Sequence, residues 1–133
     1  MLEHLPTSGA EKFLREVKRV LVPGGVVRLS VSDLAIIVNK YSVSHDADAF
    51  WEEMHVEVPP LSSLMDVVRL ANVGYRHHQF MYDEDSLAEL LENNGFTNVS
   101  VQPAGNIMIA DPGEVNLYER DDESLYVEAN VYV

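Results

Sequence analysis

The spacing of apolar residues predicts an amphipathic helix near the start of the chain, from about Ser8 to Val22. Its apolar face consists of residues that recur three and four positions apart: Ala10, Phe13, Leu14, Val17, Val20 and Leu21. Ser8 and Glu11 have the spacing of a capping box, in which each side chain accepts a hydrogen bond from a free backbone N–H group. Gly24 and Gly25 follow the helix and predict a turn into the next element.

A second strong helix is predicted to begin at Asp83, whose side chain is a suitable N-cap. Leu87, Leu90 and Leu91 lie on one face of this helix, and Gly95 follows its last turn. Glycine at this position readily adopts the left-handed backbone conformation that ends many helices. The pattern therefore predicts a helix that packs a leucine-rich face on the rest of the fold.

Three segments have the composition of β-strands. The β-branched segment 26–32 does not alternate cleanly in polarity, which is typical of a strand covered on both faces. Segment 97–102 alternates, and Val99 and Val101 are predicted to point inward. In segment 124–133 the odd-numbered residues are apolar, and the even-numbered residues are predicted to lie on the opposite face.

Shorter helical patterns fill the region between the first predicted strand and the second strong helix. The first of them follows Asp33, a possible N-cap, and together they predict a helical insertion at about 34–74. The polar segment between Pro103 and Ser124 is predicted to be a loop, in which "NIMIA" allows a short strand. The order of elements predicts one α/β or α+β domain over residues 1–133, with helices packed on a small sheet.

Charge and composition narrow the classes of partner. The formal net charge is −13, from 22 acidic and 9 basic residues, and such a field repels nucleic acids and anionic membranes. The absence of cysteine excludes disulfides and thiolate chemistry. No run of about 18 apolar residues is present, so no membrane span is predicted. We expect a soluble, cytoplasmic protein whose partners are small molecules or other proteins.

Several segments, in one order, resemble the C-terminal half of the class I S-adenosylmethionine-dependent methyltransferases. "EHLP", "REVKRVLVPGG" and "VVRLSVSDL" resemble the region after the fourth strand of that family. "HHQFMYDEDSLAELLENNGFTNVSV" resembles a later helix and the sixth strand, and "ESLYVEA" resembles the seventh. The resemblance implies a partial Rossmann-like fold with a small mixed sheet. Its strands would have the order fifth, seventh, sixth, and the seventh would run antiparallel to both neighbours.

The resemblance also has consequences for the cofactor and for partners. In that family a glycine-rich turn after the first strand and an acidic residue after the second hold the methyl donor, and both precede the "EHLP" segment. The glycine pair Gly24-Gly25 precedes a strand instead of opening a helix. S-Adenosylmethionine is thus implied as the family's cofactor, but no cofactor is expected to bind to this chain alone. Strand 26–32 is expected to have an open edge. A homodimer or a complementing chain is predicted at this edge or at the flanking helices.

Few polar residues are candidates for catalysis or metal binding. His4 lies in the "EHLP" segment and is a candidate general base or substrate contact, or else an exposed residue of a frayed terminus. Asp33 is a candidate substrate-facing carboxylate at the end of a strand, or an N-cap. His77 and His78 with Asp83 suggest a metal site, but adjacent histidines point apart, so no metal is predicted.

Aromatic and sulfur-containing side chains are candidates for contact with a substrate or a partner. They are Phe50, Trp51, Met54, Tyr75, Phe80, Met81 and Tyr82. Residues of these types line hydrophobic pockets, form protein interfaces, and pack helices onto a sheet. The sequence leaves all three roles open.

Three functions remain compatible with the sequence, and they leave open whether the chain is an enzyme. The first is a methyltransferase-like half-domain that dimerises or binds a partner and is inactive alone. The second is one subunit of a split methyltransferase that is completed in trans. The third is a small-molecule binding domain, which an apolar pocket under the helices between Leu34 and Asn72 would favour.

Overall fold

The computed structural model describes residues 2–54, 64, 65, 68, 80–118 and 120–132. Its elements, in chain order, are a 3-10 helix (Leu2–His4), α1 (Thr7–Val20), β1 (Val26–Ser32), α2 (Leu34–Ser44), α3 (Ala47–Glu53), α4 (Glu84–Asn93), β2 (Phe96–Gln102) and β3 (Ser124–Val131). The chain is therefore a mixed α/β protein, as predicted. The second half of the predicted insertion lies largely outside the described residues.

The three strands form one sheet in the order β1–β3–β2. β3 lies in the centre and pairs antiparallel with both neighbours, so that Leu29 of β1 and Val101 of β2 both lie opposite Val127. The prediction that the last strand separates the other two is thus confirmed. The described sheet is antiparallel rather than mixed, because both of its pairings, β1 with β3 and β2 with β3, are antiparallel. A parallel bridge joins Asp33 to Tyr82 outside the strands.

The hydrophobic core is built on the apolar positions of the central strand. Leu14 of α1 and Leu87 and Leu91 of α4 are fully buried, as are Val127 and Ala129 of β3. These side chains belong to one cluster, and the leucine-rich face predicted for α4 is confirmed. Burial of apolar surface at this site is the main driving force for holding the two helices against the sheet.

The start and the end of α1 differ from the prediction. Pro6 occupies the N-cap position, and its carbonyl accepts a hydrogen bond from Ala10 N–H. Ser8 therefore lies inside the helix, and the predicted capping box is wrong. Val20 was expected on the apolar face but is 65% exposed. It is the last residue of α1, and the C-cap residue Leu21 packs against the core instead.

The predicted inward side chains of β2 are only partly buried. Val99 packs against the core, whereas Val101 is 39% exposed. The register with β3 shifts between Thr97 and Ser100, and Asn98 has a positive φ of 52°. An irregularity of this kind bends a strand and re-aims its side chains, which explains why simple alternation fails here.

Both ends of α4 agree with the prediction. The Asp83 carboxylate accepts a hydrogen bond from Ser86 N–H at 2.8 Å, and Ser86 Oγ accepts one from Asp83 N–H at 3.0 Å. These reciprocal bonds form a capping box. Gly95, with a φ of 83°, follows the helix in the left-handed conformation.

The cap at Asp83 predicts a pH-dependent stability. The hydrogen bonds from Ser86 hold the pKa of the Asp83 carboxyl below its usual value. A lowered pKa in the folded state stabilises the fold above the unfolded pKa of about 3.9, and this contribution is lost as the pH falls through the folded pKa. We expect Asp83→Asn to melt at a lower temperature than the wild type near neutral pH, and the difference to disappear in acid.

The measurement is the melting temperature of both proteins at several pH values between acid and neutral, with circular dichroism as the signal. Asparagine is itself a good N-cap, so the comparison isolates the charge of the carboxylate. Glu89→Gln, at an exposed position of the same helix, is the control and should show no such pH dependence. A difference between Asp83→Asn and the wild type that is the same at all pH values would contradict the prediction.

Candidate functional site

One edge of the sheet has no strand neighbour among the described residues, namely the side of β1 that faces away from β3. Asp33 N–H donates to the carbonyl of Glu123, whereas N–H of the next residue, Leu34, donates to the carbonyl of Tyr82 on the opposite side. Backbone groups alternate in direction along a strand. The residues whose N–H and C=O groups point away from β3, called the outer edge here, are therefore Val26, Arg28, Ser30 and Ser32.

Only one end of the outer edge is approached by other described elements. The bridge between Asp33 and Tyr82 lies just beyond Ser32, and Phe80 N–H donates to the carbonyl of Glu3 in the 3-10 helix. The 3-10 helix also lies against β1. Toward the start of β1, no described strand covers the backbone groups of the edge. An uncovered edge of this kind is a template for pairing with another strand.

A buried ion pair connects β1 to β3 on the polar face of the sheet. Arg28 lies opposite Glu128, and Arg28 Nη1 is 3.0 Å from Glu128 Oε1. The Glu128 side chain is fully buried and the Arg28 side chain is 11% exposed. Tyr126 lies beside the pair, with its ring centroid 4.9 Å from Arg28 Cζ, a cation–π distance.

The segment between β2 and β3 is hydrogen-bonded to both members of this ion pair. Arg28 Nη1 donates to the carbonyl of Asn106 at 2.7 Å, and Met108 N–H donates to Glu128 Oε2 at 2.9 Å. The segment thus lies over the polar face as a loop. The short strand allowed for "NIMIA" does not form, and Met108 N–H in this segment bonds to the Glu128 side chain rather than to a neighbouring strand.

Sequence reasoning missed this network. Its signal is one charged residue in the middle of each of two apolar segments, Arg28 in "VVRLSVS" and Glu128 in "YVEAN". The two residues are 100 positions apart in the chain, so only the strand register brings them together. Opposite charges in two such segments are a usable hint that the strands are neighbours and that their polar face is covered.

The N-terminal candidate, His4, belongs to the 3-10 helix. Leu2 is 2% exposed and joins the core cluster, so this segment is anchored and His4 is half-buried. The alternative of an exposed histidine in a frayed terminus is therefore wrong. The role of His4 as a base stays a prediction. Its neighbour Glu3 is buried, and burial together with the charge of Glu3 raises the pKa of Tyr82.

Asp33 acts as a helix cap. Its carboxylate Oδ1 accepts a hydrogen bond from Ala35 N–H at 2.9 Å at the start of α2. The N-cap interpretation is confirmed. Asp33 directly follows the carboxyl end of β1, so the strand positions its carboxylate, and the carboxylate caps the helix.

The described aromatic candidates lie at two places in the fold, in α3 and beside the end of β1. Phe50 in α3 is partly buried and packs against Tyr41 of α2, with ring centroids 5.3 Å apart. Trp51 is 66% exposed, and Met54 is half-buried at the end of α3. Phe50 contributes to a cleft of about 450 Å³ between α2 and α3. The residues near position 80 lie elsewhere.

The second group of aromatic candidates lies beside the end of β1. Tyr82 is a core residue at 3% exposure, and Phe80, 42% exposed, packs on it with ring centroids 5.0 Å apart. Met81 between them is half-buried. Tyr75 lies outside the described residues, as does the pair at positions 77 and 78. Tyr82 is therefore part of the core, while Phe80 remains available for contact with a partner.

The described residues also bear on metals and membranes. They contain no group of three or more histidine, aspartate and glutamate side chains arranged to hold a metal ion. None of the helices in the described part of the chain is both long and apolar enough to cross a membrane. Asp83, considered for a metal site with two histidines, is occupied as the cap of α4.

No protein-family model, curated protein or solved structure matches the chain.

Proposed function

We propose that the chain is a methyltransferase-like half-domain that associates with a second copy through the outer edge of β1 and binds no methyl donor by itself. The observation that supports this most is the strand order β1–β3–β2, with β3 antiparallel to both neighbours. It is the order that the resemblance implies for the fifth, seventh and sixth strands of the family. In that arrangement the outer edge of β1 is where the sheet of the family continues.

A second copy satisfies the outer edge by symmetry. Two identical edges related by a two-fold axis pair antiparallel, so the outward N–H and C=O groups that no described element approaches gain partners, and the two sheets of three described strands join into one. Ser30, near the middle of the edge, is exposed and small, so its side chain does not obstruct the approach. Pairing would remove the exposed edge, which proteins otherwise protect.

The stability of the dimer is expected to depend on the salt concentration, because both chains are acidic. The net charge of −13 per chain makes two copies repel each other. Near physiological ionic strength the Debye length is about 8–10 Å, so repulsion between exposed charges farther apart than this is largely screened. The dimer is therefore expected to become more stable as the salt concentration rises.

The glycine pair supports the absence of donor binding by these residues. Gly24 N–H donates to the carbonyl of Val131, and Gly25 N–H donates to the carbonyl of Val22. Both amides are committed to the fold, so neither is available to a ligand. Calorimetric titration with S-adenosylhomocysteine is expected to give no heat of binding, and micromolar binding would contradict this part of the proposal.

The variant Ser30→Pro tests association through the edge. Proline removes only the N–H group that points away from β3, and it is tolerated on edge strands in this orientation. By light scattering at high protein concentration and moderate salt, we expect the wild type at about twice its chain mass of 14.9 kDa and Ser30→Pro at the mass of one chain.

Ser30→Thr keeps the outward N–H group and is the matched control, with an expected dimer like the wild type. Circular dichroism shows whether the proline variant retains the fold. A wild type that stays monomeric at every salt concentration would overturn the second copy as the occupant and leave a complementing chain of different sequence. A folded proline variant that still dimerises would place the contact elsewhere.

A further inference from the structure

The cleft between α2 and α3 contains no residue of the outer edge of β1. Its volume of about 450 Å³ lies within the range of about 300–1,000 Å³ that is usual for small-molecule sites. Ile37 and Tyr41 from α2 and Phe50 from α3 supply apolar and aromatic lining, and Lys40 and Glu53 supply charge. A mostly apolar cavity with a few polar groups is the common composition of a ligand site.

The aromatic part of the lining is one pair of rings. Tyr41 and Phe50 lie 5.3 Å apart between centroids, with their planes tilted by 57°. The faces of such rings carry negative potential and attract cations and apolar groups. The pair therefore favours a ligand that combines an apolar or aromatic body with positive charge.

Glu53 has unused capacity to accept hydrogen bonds. Its Oε1 lies 3.4 Å from Lys40 Nζ, which is long for a charge-assisted hydrogen bond. Its Oε2 is buried and has no hydrogen-bond partner among the described residues. A buried acceptor without a donor is unfavourable, and an ionised carboxylate accepts several bonds. Each carboxylate oxygen accepts more than one hydrogen bond, so Oε1 can accept a donor from a ligand in addition to Lys40.

A second carboxylate adds to the negative charge of Glu53 in the lining. Asp46 lines the cleft as well, so among the described lining residues two carboxylates stand against the single ammonium of Lys40. The balance favours a cation over an anion as the occupant.

We propose that this cleft binds a small organic amine, whose ammonium group donates a hydrogen bond to Glu53 while its apolar or aromatic body packs against Tyr41 and Phe50. The site does not depend on association through the outer edge. A small organic amine would thus be the ligand of the helices that follow β1.

Titration of the isotope-labelled chain with tryptamine, followed by backbone amide chemical shifts, tests the proposal. Tryptamine carries an indole ring and a primary ammonium group. We expect saturable shifts concentrated in α2 and α3. Glu53→Gln, which removes the charge and keeps the shape, is expected to weaken binding by about tenfold or more, as for the loss of a hydrogen bond to a charged group.

Two comparisons make the result specific. Glu52→Gln changes the exposed neighbouring carboxylate, which does not line the cleft, and is expected to leave binding unchanged. Indole-3-propionate presents the same ring with a carboxylate, and is expected to bind the wild-type chain at least about tenfold more weakly than tryptamine.

The proposal is overturned if tryptamine causes no saturable shifts, if Glu53→Gln binds it as well as the wild type does, or if the acid binds as tightly as the amine. Phe50→Leu is a second variant, with an expected loss of affinity through the aromatic pair. Because the comparison of acid and amine uses the wild-type chain, it decides the question even if a variant does not fold.

Discussion

Replacing Glu128 with alanine is expected to lower the free energy of unfolding by about 3–5 kcal/mol. The carboxylate is fully buried and lies 3.0 Å from Arg28 Nη1, so its removal leaves a nearly buried guanidinium without its counter-charge. Met108 N–H loses its acceptor at the same time. A small domain has a total stability of about 5–15 kcal/mol, so this single change approaches the threshold of unfolding. Urea denaturation followed by circular dichroism measures it.

Two further variants separate the buried charge from a general loss of contacts. Replacing both members of the pair with apolar residues of similar size, Arg28→Met with Glu128→Leu, is expected to restore much of the stability, because no charge is then left in the interior. Glu16→Ala breaks the exposed pair with Arg19 and is expected to cost about 0–1 kcal/mol. A double variant as unstable as Glu128→Ala would show that the unpaired charge is not the cause.

Leu87→Ala is expected to destabilise the chain by about 2–5 kcal/mol. Leu87 is completely buried in the cluster that joins α4 to the sheet, and truncation removes apolar contact and leaves a cavity. Leu90, on the same helix, is only partly buried against that cluster, so Leu90→Ala is the graded control with a smaller expected loss. Equal losses at the two positions, measured by the same urea titration, would contradict the burial that the structure gives α4.

The helices and their caps could be predicted where the signal is local. Asp83, the leucine face and Gly95 all lie within one short segment, and each behaves as its type predicts in α4. The start of α1 shows the limit of this reasoning. Ser8 has the spacing of a cap, but the carbonyl of Pro6 already starts the helix, and a motif does not reveal which of two competing residues prevails.

Features that depend on strand register could not be predicted. The strand order followed from a resemblance, but the pairing of Arg28 with Glu128 and the direction of each backbone group in β1 follow only from the observed register. The α2–α3 cleft could not be predicted either, because it depends on how the two helices pack. Phe50 was a candidate from its type alone, whereas Tyr41 and Glu53 became candidates only when the packing of the two helices was known.

Backbone amide exchange at β1, followed residue by residue by nuclear magnetic resonance, tests association through the outer edge most directly. The odd-numbered amides of Val27, Leu29 and Val31 bond to β3 and are expected to exchange slowly in every condition. The amides of Arg28 and Ser30 are expected to exchange rapidly in dilute, low-salt solution and to become protected when protein and salt concentrations rise, as a second copy covers the outer edge. Protection of these two amides that does not change with protein concentration, or exchange that stays rapid in all conditions, would contradict association through this edge.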